Sequence, residues 1–225
     1  MNSPAAAVPI KRDGHSIGFN LGVIGISVAL GGLGLAYVID AMSRSVHEQP
    51  SAKRGDQIVT RTLGATELTI PAAWLAADDT QGAGFAKQID LVVTLPLGPD
   101  GADRKIELTL TQRSRVRPSA SLLDGVYLHQ FTSDQLTGPV GLIGKPLAPQ
   151  DGQENETVWY DPLNASPFVA KCSAPVADGQ PGRCLRTVYL GPGIAAVYSF
   201  DDDVLANWKR LDAEMHPLLN QIGAL

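Results

Sequence analysis

Cysteine and histidine are scarce in this chain of 225 residues, which has two of the first and four of the second. A structural zinc site would need both cysteines and two histidines. His47, His129 and His216 stand at no ligand spacing to one another. No G-x-S-x-G, phosphate-binding P-loop, H-E-x-x-H or G-x-G-x-x-G occurs, so none of the common nucleophile, nucleotide or metalloprotease signatures is available. Basic excess is lacking too. The formal net charge is -5, whereas a nucleic-acid binder presents a basic face. No internal repeat is present, and the 23 glycines and 16 prolines are scattered, which excludes collagen-like and low-complexity chains. These absences lead to the expectation of a protein without enzymatic activity, cofactor, metal or nucleic-acid partner.

Charge is missing altogether from one long stretch. Between Gly14 and Ile39 only His15 can carry one. Residues 17–39 read IGFNLGVIGISVALGGLGLAYVI. At about 1.5 Å per residue they span roughly 34 Å as a helix, enough to cross a bilayer. A cleavable leader has a shorter apolar core, and here the run continues past the small-residue pairs Ser27/Ala29 and Ala29/Gly31. The expectation is an uncleaved transmembrane helix at 17–39, after a cytoplasmic segment 1–16. Lys11 and Arg12 before it and Arg44, Lys53 and Arg54 after it leave the positive-inside count undecided. Gly18, Gly22 and Gly25 lie near one face of this helix, and Ser27 and Gly31 add a second small pair. Small residues let helices approach closely in lipid, which suggests docking against another membrane helix or self-association.

Cys172 and Cys184 flank the turn-rich SAPVADGQPGR. A bridge closing a loop of this length contributes roughly 3 kcal/mol in the chain-entropy account. Disulfides persist in the periplasm and outside cells, so the large C-terminal part, 57–225, is expected to be exported, and with the membrane segment the expectation is the periplasmic domain of a bacterial inner-membrane protein. Residues 40–56 are polar and patternless, as a juxtamembrane linker would be.

Period-2 patterns predict strands at 58–63, 67–70, 89–95, 106–110 extended by 111–113, 126–131, 140–143, 158–160, 168–170, 185–190 and 194–200. Ala72 to Ala77 suggest a helical turn carrying Trp74. The runs 89–95 and 106–110 suit a long-looped hairpin, and LGPG joins the last two strands. Beyond them Asp201, Asp202 and Asp203 suit a helix N-terminus, and Val204, Leu205, Trp208, Leu211, Met215, Leu218, Leu219 and Ile222 recur at helical spacing. Pro217 would kink that helix or start a second. The expected fold class is α+β: a transmembrane helix, then an antiparallel β-rich domain closed by a C-terminal amphipathic helix.

Some residues carry chemical possibilities beside plainer ones. The aspartate run 201–203 could hold a cation, though capping explains it. Asp100 and Asp103 resemble part of a calcium loop but lack its alternating ligands and terminal Glu. Ser121, Asp124 and His129 could serve a hydrolase. Trp74, Trp159 or Tyr160 could line the pocket of a periplasmic ligand-binding or sensing module. Arg113, Arg115 and Arg117 alternate, so an extended strand would put them on one face, against anionic headgroups or an acidic partner. A solvated strand edge is the plain alternative. The sequons at Asn155 and Asn164 are given no role.

The segment ELTIPAAWL followed by IDLVVTLPL, the tail VYSFDDDVLANWKRLDAEMHPLL and the N-terminal apolar run together resemble the uncharacterised single-pass envelope proteins of proteobacteria. The resemblance implies an anchored periplasmic domain and transfers no catalytic residue. The leading expectation is a non-enzymatic accessory or scaffolding protein of an inner-membrane or envelope complex, with lipid bilayer and a membrane-protein partner around it.

Overall fold

A computed structural model of the chain describes residues 57–76, 83–149 and 155–225 apart from 176, 178 and 192. The expected transmembrane helix, its Gly18, Gly22 and Gly25 face and the linker 40–56 lie outside the described residues. Among the described residues no helix is long and apolar enough to cross a membrane.

Among the described residues eleven strands make two sheets. The small one has the order β2-β1-β3, from β1 (Ile58–Leu63), β2 (Thr66–Pro71) and β3 (Gly84–Ala86). The chain reverses between β1 and β2 at Gly64, whose φ of 65° suits a residue without a Cβ. The large sheet holds β4 (Gln88–Leu95), β5 (Arg104–Gln112), β6 (Leu136–Thr137), β7 (Ile143–Pro146), β8 (Glu156–Tyr160), β9 (Val169–Ser173), β10 (Arg183–Tyr189) and β11 (Ile194–Asp201). Its order is β4-β5-β11-β10-β9-β8-β7-β6, antiparallel throughout. The helices are α1 (Ser119–Gly125) and α2 (Trp208–Gln221).

Alternation decides which face is buried. Ile89, Leu91, Val93 and Leu95 of β4 are buried, as are Ile106, Leu108 and Leu110 of β5 and Ala196, Tyr198 and Phe200 of β11. They form one core with Leu211, Met215 and Leu219 of α2 and with Leu63, Leu68 and Ile70 of the small sheet. Full burial of each leucine, isoleucine, valine, methionine or phenylalanine among them stabilises the fold by about 1.5–3 kcal/mol. The Thr69 amide donates to the Ile222 carbonyl (3.1 Å), seating β2 on the end of α2. On the opposite face of the large sheet, Val158 and Val169 pack with Leu123 of α1 and with Tyr127 and Phe131 in a second, smaller core.

The large sheet has a narrow seam. β9 and β10 join at three residue pairs only, Arg183–Ser173, Cys184–Cys172 and Leu185–Lys171. The expected disulfide is present, and it sits at the middle pair, buried in the main core.

The paired runs 89–95 and 106–110, the final hairpin, the turn at Ala72–Trp74 and the C-terminal helix are found where the periodicity puts them. Four expectations need correction. Residues 126–131 are not a strand, because Val126 leaves the end of α1 and Tyr127–His129 form a 3-10 turn that packs Tyr127 into the second core. The strand near 140–143 starts only at Ile143, beyond a turn in which Gly141 has φ 93°. Arg113 does not extend β5, since Arg113–Arg115 coil into a 3-10 turn once β11 gives out opposite Gln112. The C-terminal helix opens with a 3-10 stretch, Asp202–Asn207, and continues through Pro217, which stands exposed inside α2, so no second helix starts there.

Candidate binding surfaces

Ser121 and Asp124 stand exposed on α1, and His129 stands exposed in the turn after it. The seven-residue helix thus holds the hydroxyl and the carboxylate at its surface, where water competes for both. Asp100, with φ 54°, belongs to the tight turn Pro99–Gly101 that leads into β5. Among the described residues no three His, Cys, Asp or Glu side chains come together as metal ligands would.

The aspartate run 201–203 makes no side-chain cap. Its carboxylates reach sideways to arginines. Asp203 accepts from both Nε and a terminal nitrogen of Arg104 (2.8 and 2.7 Å), and this bond, outweighing desolvation, raises the Arg104 pKa further above its ordinary value. Arg183 donates to Asp201 (2.8 Å), Glu107 (2.7 Å) and Ser199 (2.7 Å) across three neighbouring strands. These groups wall a shallow, open depression of about 700 Å³. Paired guanidinium and carboxylate groups fix strands to one another here.

Trp74, Trp159 and Tyr160 line neither the depression beside Asp203 nor those beside Trp208 and Arg113. Trp74 and Trp159 pack on the main core, and Tyr160 stacks on Phe131 at 6.1 Å. The Trp159 ring lies against two glycines. A Cβ added at Gly144 would come within 2.6 Å of it, and one at Gly138 within 2.0 Å.

The tryptophan that does face a depression is Trp208, the first residue of α2. Its indole N–H donates to the Val140 carbonyl (3.1 Å), and its ring meets Phe168 at 5.2 Å. The hollow beside it, about 500 Å³, is lined by Pro139, Val140, Asn207, Trp208, Lys209 and Arg210 among others. Val140 is 90% exposed. Leu136, at the open edge of the large sheet on β6, is also exposed. Helical spacing had marked Trp208 as core; what it could not reveal is the loop 138–141, which covers only part of the ring.

A third depression, about 650 Å³, lies where β5 ends and the β10–β11 turn begins, with Gly64, Gln112, Arg113, Ser114, Tyr189 and Gly193 around it. The Arg113 guanidinium lies 3.9 Å above the Tyr189 ring. Arg115 and Arg117 are exposed on the same short segment. The three arginines that were expected along a strand are therefore displayed by a turn and the extended residues after it.

No family model, curated protein or solved structure matches this chain.

Proposed function

We propose that this protein is a non-enzymatic accessory or scaffolding component of a bacterial envelope complex, anchored in the inner membrane by residues 17–39, with its β-rich domain in the periplasm docking a partner protein. The observation that carries this reading is the apolar surface at the open end of the large sheet. Val140 is exposed by 90% beside a half-buried Trp208, and Leu136 is exposed on the two-residue edge strand. Apolar side chains grouped with an aromatic one form the centre of protein interfaces, and a sheet edge offers free backbone donors and acceptors. Lys209, 5.4 Å above the Trp208 ring, supplies a cationic rim, so the partner segment that fits carries an apolar side chain next to an acidic one. The disulfide supports export, and the Gly18, Gly22 and Gly25 face supports a second contact within the bilayer.

Site-specific photocrosslinking in intact cells tests the reading. A photoreactive residue at Val140 should give one discrete heavier product, absent when it is placed at Leu163, which is 93% exposed elsewhere. Lys209→Glu should weaken that product without lowering the melting temperature. Equal products from both positions, or none from Val140, would refute docking at this surface.

A further inference from the structure

We infer that Arg113, Arg115 and Arg117 form a binding strip for the phosphate groups of anionic phospholipid headgroups, which holds the folded domain against the bilayer. The inference rests on the reading of residues 17–39 as a membrane anchor, which would keep the domain within reach of the headgroups.

Charge bookkeeping singles the strip out. Arg104, Arg183, Arg186 and Arg210 each hold a carboxylate. Among the described residues no carboxylate reaches Arg113, Arg115 or Arg117, and all three are exposed. The chain as a whole carries a formal charge of -5, so its overall field repels an anionic surface. Three guanidinium groups within five residues, met by no carboxylate of the described residues, are a local reversal of that field.

The strip is also held in place. The Arg113 amide donates to the Gly193 carbonyl (2.9 Å), and its guanidinium stacks on Tyr189. The Tyr189 hydroxyl donates in turn to the Val116 carbonyl (3.1 Å), in the middle of the strip. Just beyond, the Ser119 hydroxyl accepts the Thr187 amide (2.8 Å), which β9 does not reach. The segment is thereby tied to β10 and to the β10–β11 turn before any ligand arrives, so less ordering entropy is lost on binding.

Chemistry favours phosphate in a lipid surface over other anions. A guanidinium presents a planar fork that meets phosphate oxygens two at a time. The ground between the arginines and Gly64 holds the small or polar residues Ala65, Gln112 and Ser114, and its one aromatic ring, Tyr189, already carries the Arg113 guanidinium. A bilayer surface asks for no shape complementarity and suits an open ledge. Nucleic-acid faces commonly neutralise 6–10 phosphates, more than this strip can meet.

The test uses the full chain in nonionic detergent and beads bearing covalently tethered phosphatidylglycerol or phosphatidylcholine. The protein should be retained on the first and not on the second, and retention should fall with salt. Replacing all three arginines (R113Q/R115Q/R117Q) should lower affinity by roughly 100-fold, on the basis of about fivefold per cation near a lipid surface. R115Q/R117Q, which keeps the Arg113–Tyr189 stack, should lower it by roughly 25-fold, with an unchanged melting temperature. Equal retention on both lipids, or no loss in the double variant, would overturn the inference. So would release by poly-glutamate, by duplex DNA or by inorganic phosphate at concentrations that leave other protein–lipid contacts intact, since each assigns the strip to a different ligand. The anchor is read separately, by alkaline carbonate extraction of native membranes. Extraction into the soluble fraction would remove the anchor and leave the bead result standing on its own.

Discussion

Removing the carboxylate of Asp212 should destabilise the domain more than removing the guanidinium it holds. Arg186 of β10 points beneath α2, is only 7% exposed, and lies 4.4 Å above the Phe168 ring. Asp212 meets it with two contacts, 2.6 and 3.3 Å, from a side chain that is 54% exposed. The asymmetry in burial sets the sign. Asp212→Ala leaves a charge under the helix without its counter-ion, a change that costs about 3–5 kcal/mol for a fully buried pair. Water reaches Asp212, so the expectation here is about 2–3 kcal/mol. Arg186→Met keeps an apolar stem on Phe168 and frees Asp212 into solvent, and should cost about 1 kcal/mol. The double variant R186M/D212A should then be more stable than D212A alone. Urea denaturation of a fragment beginning at Gly55, which contains the whole described core, gives the three values. A second readout comes from Tyr198, whose phenol is pushed up by burial, then by Asp212, and is pulled down by Arg186. D212A should lower the Tyr198 titration and R186M should raise it, both visible in phenolate absorbance. If R186M is as costly as D212A, or if Tyr198 titrates unchanged in both, the account of a charge stranded by its partner is wrong.

Alkali should unfold the domain through the same tyrosine. The folded phenol is raised above the unfolded one, so stability is whole below about pH 10, where unfolded tyrosine ionises, and falls as pH rises beyond it. Tyr127, raised by burial and then by Glu156, acts in the same direction, and Y198F should flatten the decline in a pH series of melting temperatures. Gly144→Ala should cost about 1–3 kcal/mol and red-shift tryptophan emission, because the new methyl occupies the place of the Trp159 ring. W159F in the same background should recover part of the loss, and a G144A protein with wild-type stability and emission would remove the ring from that slot. Neither cysteine should react with maleimide in freshly prepared native protein until reductant is added, and reduction should lower stability by roughly 3 kcal/mol. Labelling without reductant would refute the bridge in the native chain.

Strand periodicity was readable where burial is one-sided. Ile106 to Leu110 alternates because one face of β5 meets the core and the other meets solvent, and the eye needs nothing more. The stretch 126–131 misled because Val, Tyr, Leu and Phe favour strands in isolation, while the signal that mattered was spacing. Leu123, Tyr127 and Phe131 recur every four residues, the helical interval, and all three enter the second core. The aspartates 201–203 read as a cap because capping is a local rule. Their true partners, Arg104 and Arg183, lie on other strands, and for Arg104 some 99 residues away along the chain. No local pattern encodes that β11 slots between β5 and β10, so neither the depression near Asp203 nor the Arg113–Tyr189 stack was accessible from spacing. The arginines themselves were visible; the strand geometry assumed for them was not the one adopted, because β5 runs out of partners at Gln112.

The order of strands also sets a timetable for the growing chain. β6, β7, β8 and β9 are neighbours both along the sequence and across the sheet, so this half can zip up from consecutive turns once residue 173 has emerged. The other half has no such freedom. β5 pairs with β4 at once, but its second edge stays open until β11 arrives close to the end of the chain. Contacts between distant residues form late, because a long loop must close before they yield anything. During that interval β5 shows a bare strand edge with apolar residues behind it, the kind of surface that sticks to other chains. Cys172 meanwhile waits as a free thiol for Cys184, open to any other thiol in the compartment. Loss of the last strand and helix would thus strand the molecule in its most adhesive form, whereas loss of the edge strand β6 would deprive only β7 of a strand partner.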